Sequence, residues 1–453
     1  MLADLYVRNG HVVTEQGVFQ GGVVVKAGKI AQLVQGDADI AAETTIDLAG
    51  RYLLPGLIDA HVHFSEPGRG HWEGFRTGTM AAAAGGITTV IEMPLNATPP
   101  TIDAENLRAK QAIAAQEALV DYALWGGLVT NNLDKLDELH RGGVVALKAF
   151  LTSTGSDFIR IDDDLLYAGL LQARALGTLV GVHAENEWVT RYLMEKLQAA
   201  GRKDTAAWGE ARPPATELEA IQRVLFWAKE TGGQLHIVHV SLADGIQAVA
   251  LAKQAGVKVT VETCPHYLLF DEDDFARIGP MAKCAPPLRA RDEVEALWQR
   301  VLQGQVDVIA SDHSPCLLEE KERGNDDVWL AWGGISGIQT LLPALLTEGV
   351  QRRGLSLPAL VRMTAANPAR IFGLYPHKGT LLPGADADLV ILDPHKTWVL
   401  TQDNLFYKNP HSAFVGYEFT GRVEQTIVRG VTVFRDGEIQ VQPGFGQLQL
   451  RSA

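Results

Sequence analysis

His61-Val62-His63 places two imidazoles at i and i+2, just after the apolar run 53–59. At strand spacing such residues project to one side, so both rings can reach a single ion. Alone the pair is weak, because two half-buried polar residues at a strand end read the same way. Four further residues strengthen it. His183 closes the run 178–182, His239 closes 235–238, Asp312 follows 306–311, and Lys148 lies inside 144–150. Each sits on an apolar run that would otherwise bury a polar group at a cost. The chemistry of such a set is that of a metal-dependent hydrolase. Two divalent ions lower the pKa of water toward neutrality. Asp312 can then serve as general base and afterwards as acid toward a leaving nitrogen. Hydrolysis of an amide-like C–N bond is the natural reaction.

Lys148 has two readings. It is an ion-paired or snorkelling lysine, or a lysine neutralised by a depressed pKa and carbamylated by CO₂ into a bridging carboxylate. Four imidazoles and one aspartate around the same opening favour the second. A pair of ions needs a bridging anion that the other residues do not supply.

Residues spread over about 250 positions meet only if a scaffold gathers the ends of many strands, as a (β/α)8 barrel does. Eight apolar, strand-like runs are present, at 53–59, 87–92, 122–125, 144–150, 179–183, 235–239, 257–262 and 306–310. Between them, 106–118, 163–176, 243–255 and 292–302 are apolar at helical spacing. Thr216-Glu217-Leu218-Glu219 reads as a capping box opening a helix toward Thr231. The first 52 residues alternate apolar and polar like short antiparallel strands, and the texture returns after about residue 384. The expected fold is therefore α/β: a TIM-like (β/α)8 barrel over 53–375, with a small β-sandwich built from both termini, 1–52 and 376–453.

A chain of 453 residues has room for one large core and a smaller one. Its net charge of −14 argues against nucleic acid as a partner. Cys264, Cys284 and Cys316 are too few for a disulfide framework and fit a reducing compartment. No signal-peptide pattern opens the chain, and no run of ~18 apolar residues could span a membrane. A soluble cytoplasmic protein is expected. Of the other histidines, His71, His236 and His266 suit structural hydrogen bonding, and His313 should face away from Asp312. His11, His140, His377, His395 and His411 are expected at the surface. The glycines around 333–337 lack the strand and lysine of a phosphate loop.

The stretch Pro55-Gly56-Leu57-Ile58-Asp59-Ala60-His61-Val62-His63 resembles the first metal motif of the amidohydrolase superfamily. The segment 379–390 is similar to that superfamily's return into its terminal β domain. Longer runs are similar to the allantoinases within its cyclic-amide hydrolases: 66–75, 81–89, 92–96, Cys264-Pro265-His266-Tyr267 and Ser311-Asp312-His313-Ser314-Pro315-Cys316. The resemblance covers nearly the whole chain. It implies two zinc-type ions bridged by N6-carboxylated Lys148, ring opening of allantoin to allantoate in purine catabolism, and a homotetramer. It offers Asn96 and Ser314 as substrate contacts, although loop capping and turn formation account for them equally well. Dihydroorotases carry arginine where this chain has Ser65, and hydantoinases carry tyrosine where it has Ser153. Ala285 stands where relatives often have serine, a position that contacts substrate largely through its backbone. Hydantoinase/dihydropyrimidinase or dihydroorotase activity is thus the alternative. Non-catalytic scaffold proteins on this fold lose metal ligands, and this chain has lost none.

Overall fold

The computed structural model describes residues 2–452. Eight parallel strands follow one another in sequence order: Leu57–Val62, Ile87–Glu92, Asp121–Gly127, Ala146–Phe150, Leu179–His183, Gln234–Ile237, Val259–Thr263 and Val308–Ile309. The edges meet where Val62 bridges to His313 and the His63 N–H donates to the His313 carbonyl at 2.8 Å. The sheet is thereby a near-closed barrel. Its strands are buried along nearly their whole length because helices cover the outer face and packed side chains fill the inner one. Leu166 and Leu170 of helix Asp163–Leu176 and Ile221 and Val224 of helix Pro214–Thr231 join strand residues Leu147, Val180 and Leu235 in one core. Inside the barrel, Trp125 packs on Phe372 and donates to the Ala60 carbonyl at 3.0 Å. Position 181 must be glycine, since a Cβ there would sit 2.6 Å from the Trp125 ring.

The two chain ends supply a separate nine-stranded mixed sheet. Tyr52–Pro55 lies between Ala3–Val13, which it meets in parallel, and Leu389–Val399, which it meets antiparallel. The sheet curls on itself, so that Leu5, Val23 and Val25 share a core with Leu389, Ile391 and Ile427. The expected sandwich is thus one continuous curled sheet.

Two local expectations need correction. The run 53–59 is two strands, Tyr52–Pro55 in the terminal sheet and Leu57–Val62 in the barrel, separated by Gly56 alone. The terminal sheet therefore reaches past the boundary expected at residue 52. The capping box at Thr216 does not form. Helix Pro214–Thr231 instead begins with proline in its first turn, and the Thr216 hydroxyl donates to the Pro213 carbonyl at 2.7 Å. Glu217 turns inward, where Arg289 meets it at 2.7 Å and Ser241 donates to it from both N–H and hydroxyl. Among the described residues no helix is long and apolar enough to cross a membrane.

Candidate metal centre

His61 and His63 end the first barrel strand, and both present Nε2 to Oδ1 of Asp312 at 3.3 Å. Ligand atoms of these three residues all lie within 4.8 Å of one another. The far nitrogens are already held: Nδ1 of His61 meets Glu262 at 2.7 Å and Nδ1 of His63 meets the Leu95 carbonyl at 3.1 Å. Such outer partners fix the tautomer, leaving the Nε2 lone pair free toward the opening. Beside them, Nδ1 of His183 and Nε2 of His239 face each other at 2.9 Å. Nε2 of His183 is held by Glu185 at 2.7 Å, and Glu185 in turn by Arg212 at 2.6 Å.

Lys148 is fully buried among these groups, and its Nζ has no hydrogen-bond partner. Burial pushes the amine down to about 8, against the pull of Asp312 and Glu262. A neutral fraction is thus available near physiological pH, and that is the form whose lone pair can attack CO₂. An orphaned amine, two facing imidazole nitrogens and a His–His–Asp cluster fit a pair of bridged divalent ions. They fit poorly with a purely structural polar core, which leaves few buried groups unsatisfied.

The electrostatics agree. Burial lowers His61, His183 and His239 below the ordinary imidazole value, so they are neutral and able to donate lone pairs. Burial alone would raise Asp312, yet the imidazoles of His61 and His63 against it hold its carboxyl well below the usual range. Burial likewise opposes the charge on Glu262 and Glu185, but His61 keeps the first and Arg212 the second at about 2. His239 and Asp312 adopt left-handed backbone at φ 39° and 46°. Each costs of order 1–2 kcal/mol for a non-glycine residue, a strain found where side-chain aim matters.

His61, His63, His183, His239 and Asp312 line one cavity of about 580 Å³ at the C-terminal ends of the strands, with Lys148, Glu185 and Glu262 behind its wall. Asn96 and Ser314 line it too, with Phe150, Ser153, Trp208, Arg212, Lys283 and Trp332. Phe150 stacks on the His183 ring at 4.6 Å. His313 faces away as expected, its Nδ1 accepting from the Gly337 N–H at 3.2 Å. His411 departs from expectation: it is buried, with Nε2 held by the Cys316 carbonyl at 2.9 Å. Glu185, Arg212 and Glu262 went unread as site residues in the sequence, because partners behind a ligand follow no fixed spacing. Only the carboxylate two places after His183 offered a signal.

A family model described as the amidohydrolase family matches residues 52–433. The chain belongs to the amidohydrolase family. Among its curated relatives, an allantoinase of Rubrobacter xylanophilus is 49% identical over 441 residues, covering 97% of this chain and 96% of that one. An allantoinase of Deinococcus radiodurans is 42% identical over the full length of both. These place the amidohydrolase among the allantoinases. An L-hydantoinase (dihydropyrimidinase) structure from Arthrobacter aurescens superposes on it with a TM-score of 0.97 at 38% identity, covering 99% of this chain and all of that one.

Proposed function

We propose that this cyclic amidohydrolase opens the ring of allantoin to give allantoate, in purine catabolism. The observation that carries the reading is the convergence of His61, His63, His183, His239 and Asp312 around a partnerless buried Lys148, in a chain 42–49% identical to allantoinases. His61, His63, His183, His239, Asp312 and carboxylated Lys148 would hold two divalent ions, zinc by family expectation. When bound, those ions would supply Lewis acidity and a water acidic enough to ionise near neutral pH. Asp312, kept ionised by its imidazole neighbours, takes the proton of the attacking water and delivers it to the leaving ring nitrogen. Asn96 and Ser314 orient the ring from the cavity wall. The deep placement of the ligand cluster limits bulk water, which strengthens each of these interactions.

A hydantoinase-like specificity is the second reading, favoured by the TM-score of 0.97 to an L-hydantoinase. Ser153 on the cavity wall, in place of a bulky side chain, weighs toward the more polar ureide. Turnover of zinc- and bicarbonate-supplemented enzyme on allantoin, hydantoin, dihydrouracil and dihydroorotate separates these readings. Allantoate formed far faster than the other products is expected. Preference for another ring would move the substrate assignment, and no turnover on any would sink it.

The three cysteines are free and buried, which fits a reducing cytoplasm. A homotetramer is supported by large apolar side chains left in water on neighbouring helices: Trp188 and Tyr192 of Glu187–Ala199, Phe226 of Pro214–Thr231, and Tyr167 of Asp163–Leu176.

A further inference from the structure

Lys321 lies in a short, acidic helix, Leu318–Glu322, where a lysine should be solvated, yet it is 2% exposed. Its Nζ sits among four backbone carbonyls: Gly334 at 2.5 Å, Trp332 at 3.0 Å, Pro280 at 3.1 Å and Lys283 at 3.3 Å. Among the described residues no carboxylate is within hydrogen-bond reach of it. Every neighbour is an acceptor, so the cage suits the ammonium form, set against the burial that pushes this amine down to about 8; a neutral amine would turn its lone pair on a carbonyl oxygen. Four carbonyl oxygens around one positive centre is how protein backbone holds a desolvated monovalent cation. Here the cation is tethered to the chain.

The carbonyls belong to two segments that form one wall of the substrate cavity. Lys283 and Ala285 line it from the first segment, and Ala331, Trp332 and Gly333 from the second. Lys283 repeats the device, its Nζ donating to Val328 at 2.8 Å and Ala331 at 2.7 Å. The same wall carries Ser314. Its N–H donates to the Ile335 carbonyl at 3.0 Å, its carbonyl accepts from Trp332 Nε1 at 3.3 Å, and a Cβ on Gly334 would lie 2.5 Å from its hydroxyl.

We propose that Lys321 is a positioning residue whose ammonium stands in for a bound monovalent cation and sets the cavity wall bearing Ser314. The catalytic consequence rests on the reading that this cavity binds the ring substrate; the cage does not.

The test is chemical rescue of Lys321→Ala, which empties the cage, beside Lys321→Met, whose apolar chain fills it without charge. Melting temperature and steady-state kinetics on allantoin are measured in ammonium, potassium and tetramethylammonium chlorides at equal ionic strength. For Lys321→Ala, melting temperature should rise with ammonium or potassium and not with tetramethylammonium. Its kcat/KM should fall by roughly 10–100-fold, mainly through KM, and recover severalfold in the same two salts. The parent enzyme and Lys321→Met should show no such selectivity. Melting temperatures need no substrate, so a wrong substrate assignment and a wrong cage assignment give different results. Unchanged stability and kinetics in Lys321→Ala would overturn the proposal. So would equal recovery in tetramethylammonium, or failure to fold in every salt.

Discussion

At Lys148, a buried amine with no partner among the described residues is held near Asp312 and Glu262 and the imidazoles of His61, His183 and His239, an arrangement that leaves a polar group unsatisfied unless something else pairs with it. Lys148→Ala should therefore lose one of two bound ions and most turnover; metal analysis on the purified variant checks the first independently of the second. Two ions per chain with full activity would end the bridging role. On the proposed role of Asp312 as base, Asp312→Asn keeps the shape but removes that base, so kcat should drop by roughly 100-fold or more while KM changes little. His266 is wholly buried, and burial holds it at about 4, against ~6.5 when unfolded. Its contribution to stability is complete above pH 6.5 and is lost as pH falls toward 4, roughly 3 kcal/mol in all. His266→Gln should flatten that part of the stability profile, measured as urea midpoints at pH 7 and pH 5. Much of this residue scale was legible beforehand. His61, His63, His183, His239 and Asp312 stood out because each ends an apolar run, and Lys148 because it interrupts one. Lys321 was not legible, since a lysine among glutamates looks solvated, and its carbonyl partners lie in segments that carry no signature.

Helix Pro214–Thr231 is anchored at its start by a buried charge pair. Arg289 donates to Glu217 at 2.7 Å, to Ser241 at 2.9 Å and to the Arg212 carbonyl at 2.6 Å. Ser241 lies two residues beyond His239, so this anchor also fixes the exit of a ligand strand. Arg289→Met strands a buried carboxylate and should cost roughly 3–5 kcal/mol in denaturant unfolding, with part of it recovered by adding Glu217→Gln. A cost below 1 kcal/mol would show that the pair is not the anchor. Thr216 was misread from sequence because a threonine three positions before a glutamate, here Glu219, also suits a cap; the proline at 214 had already opened the helix. Strand positions fared better. Ile87–Glu92 and Leu179–His183 fall where their apolar runs predict. The first run deceived because Leu53 to Ile58 carries no polar side chain, and only Pro55-Gly56 marks where one sheet ends and another begins.

For the molecule as a whole, exposed Trp188, Tyr192 and Phe226, at 57%, 61% and 54%, call for a partner surface. Light scattering should give four times the mass of one chain, and Trp188→Glu with Tyr192→Glu should lower it; a parent monomer would refute the tetramer. Barrel and terminal sheet are also pinned to each other, because Lys378 and Arg429 meet Asp121 of the third barrel strand while Lys378 reaches Asp386 at 2.9 Å and Asp388 at 3.0 Å. The terminal sheet closes through Leu389–Val399, which pairs with Tyr52–Pro55 across about 330 residues of intervening chain. During synthesis at ~5–20 residues per second, strand Tyr52–Pro55 leaves the ribosome tens of seconds before this neighbour exists. Until then it is an open, apolar edge, so the growing chain has most need of a chaperone before its last segment is made.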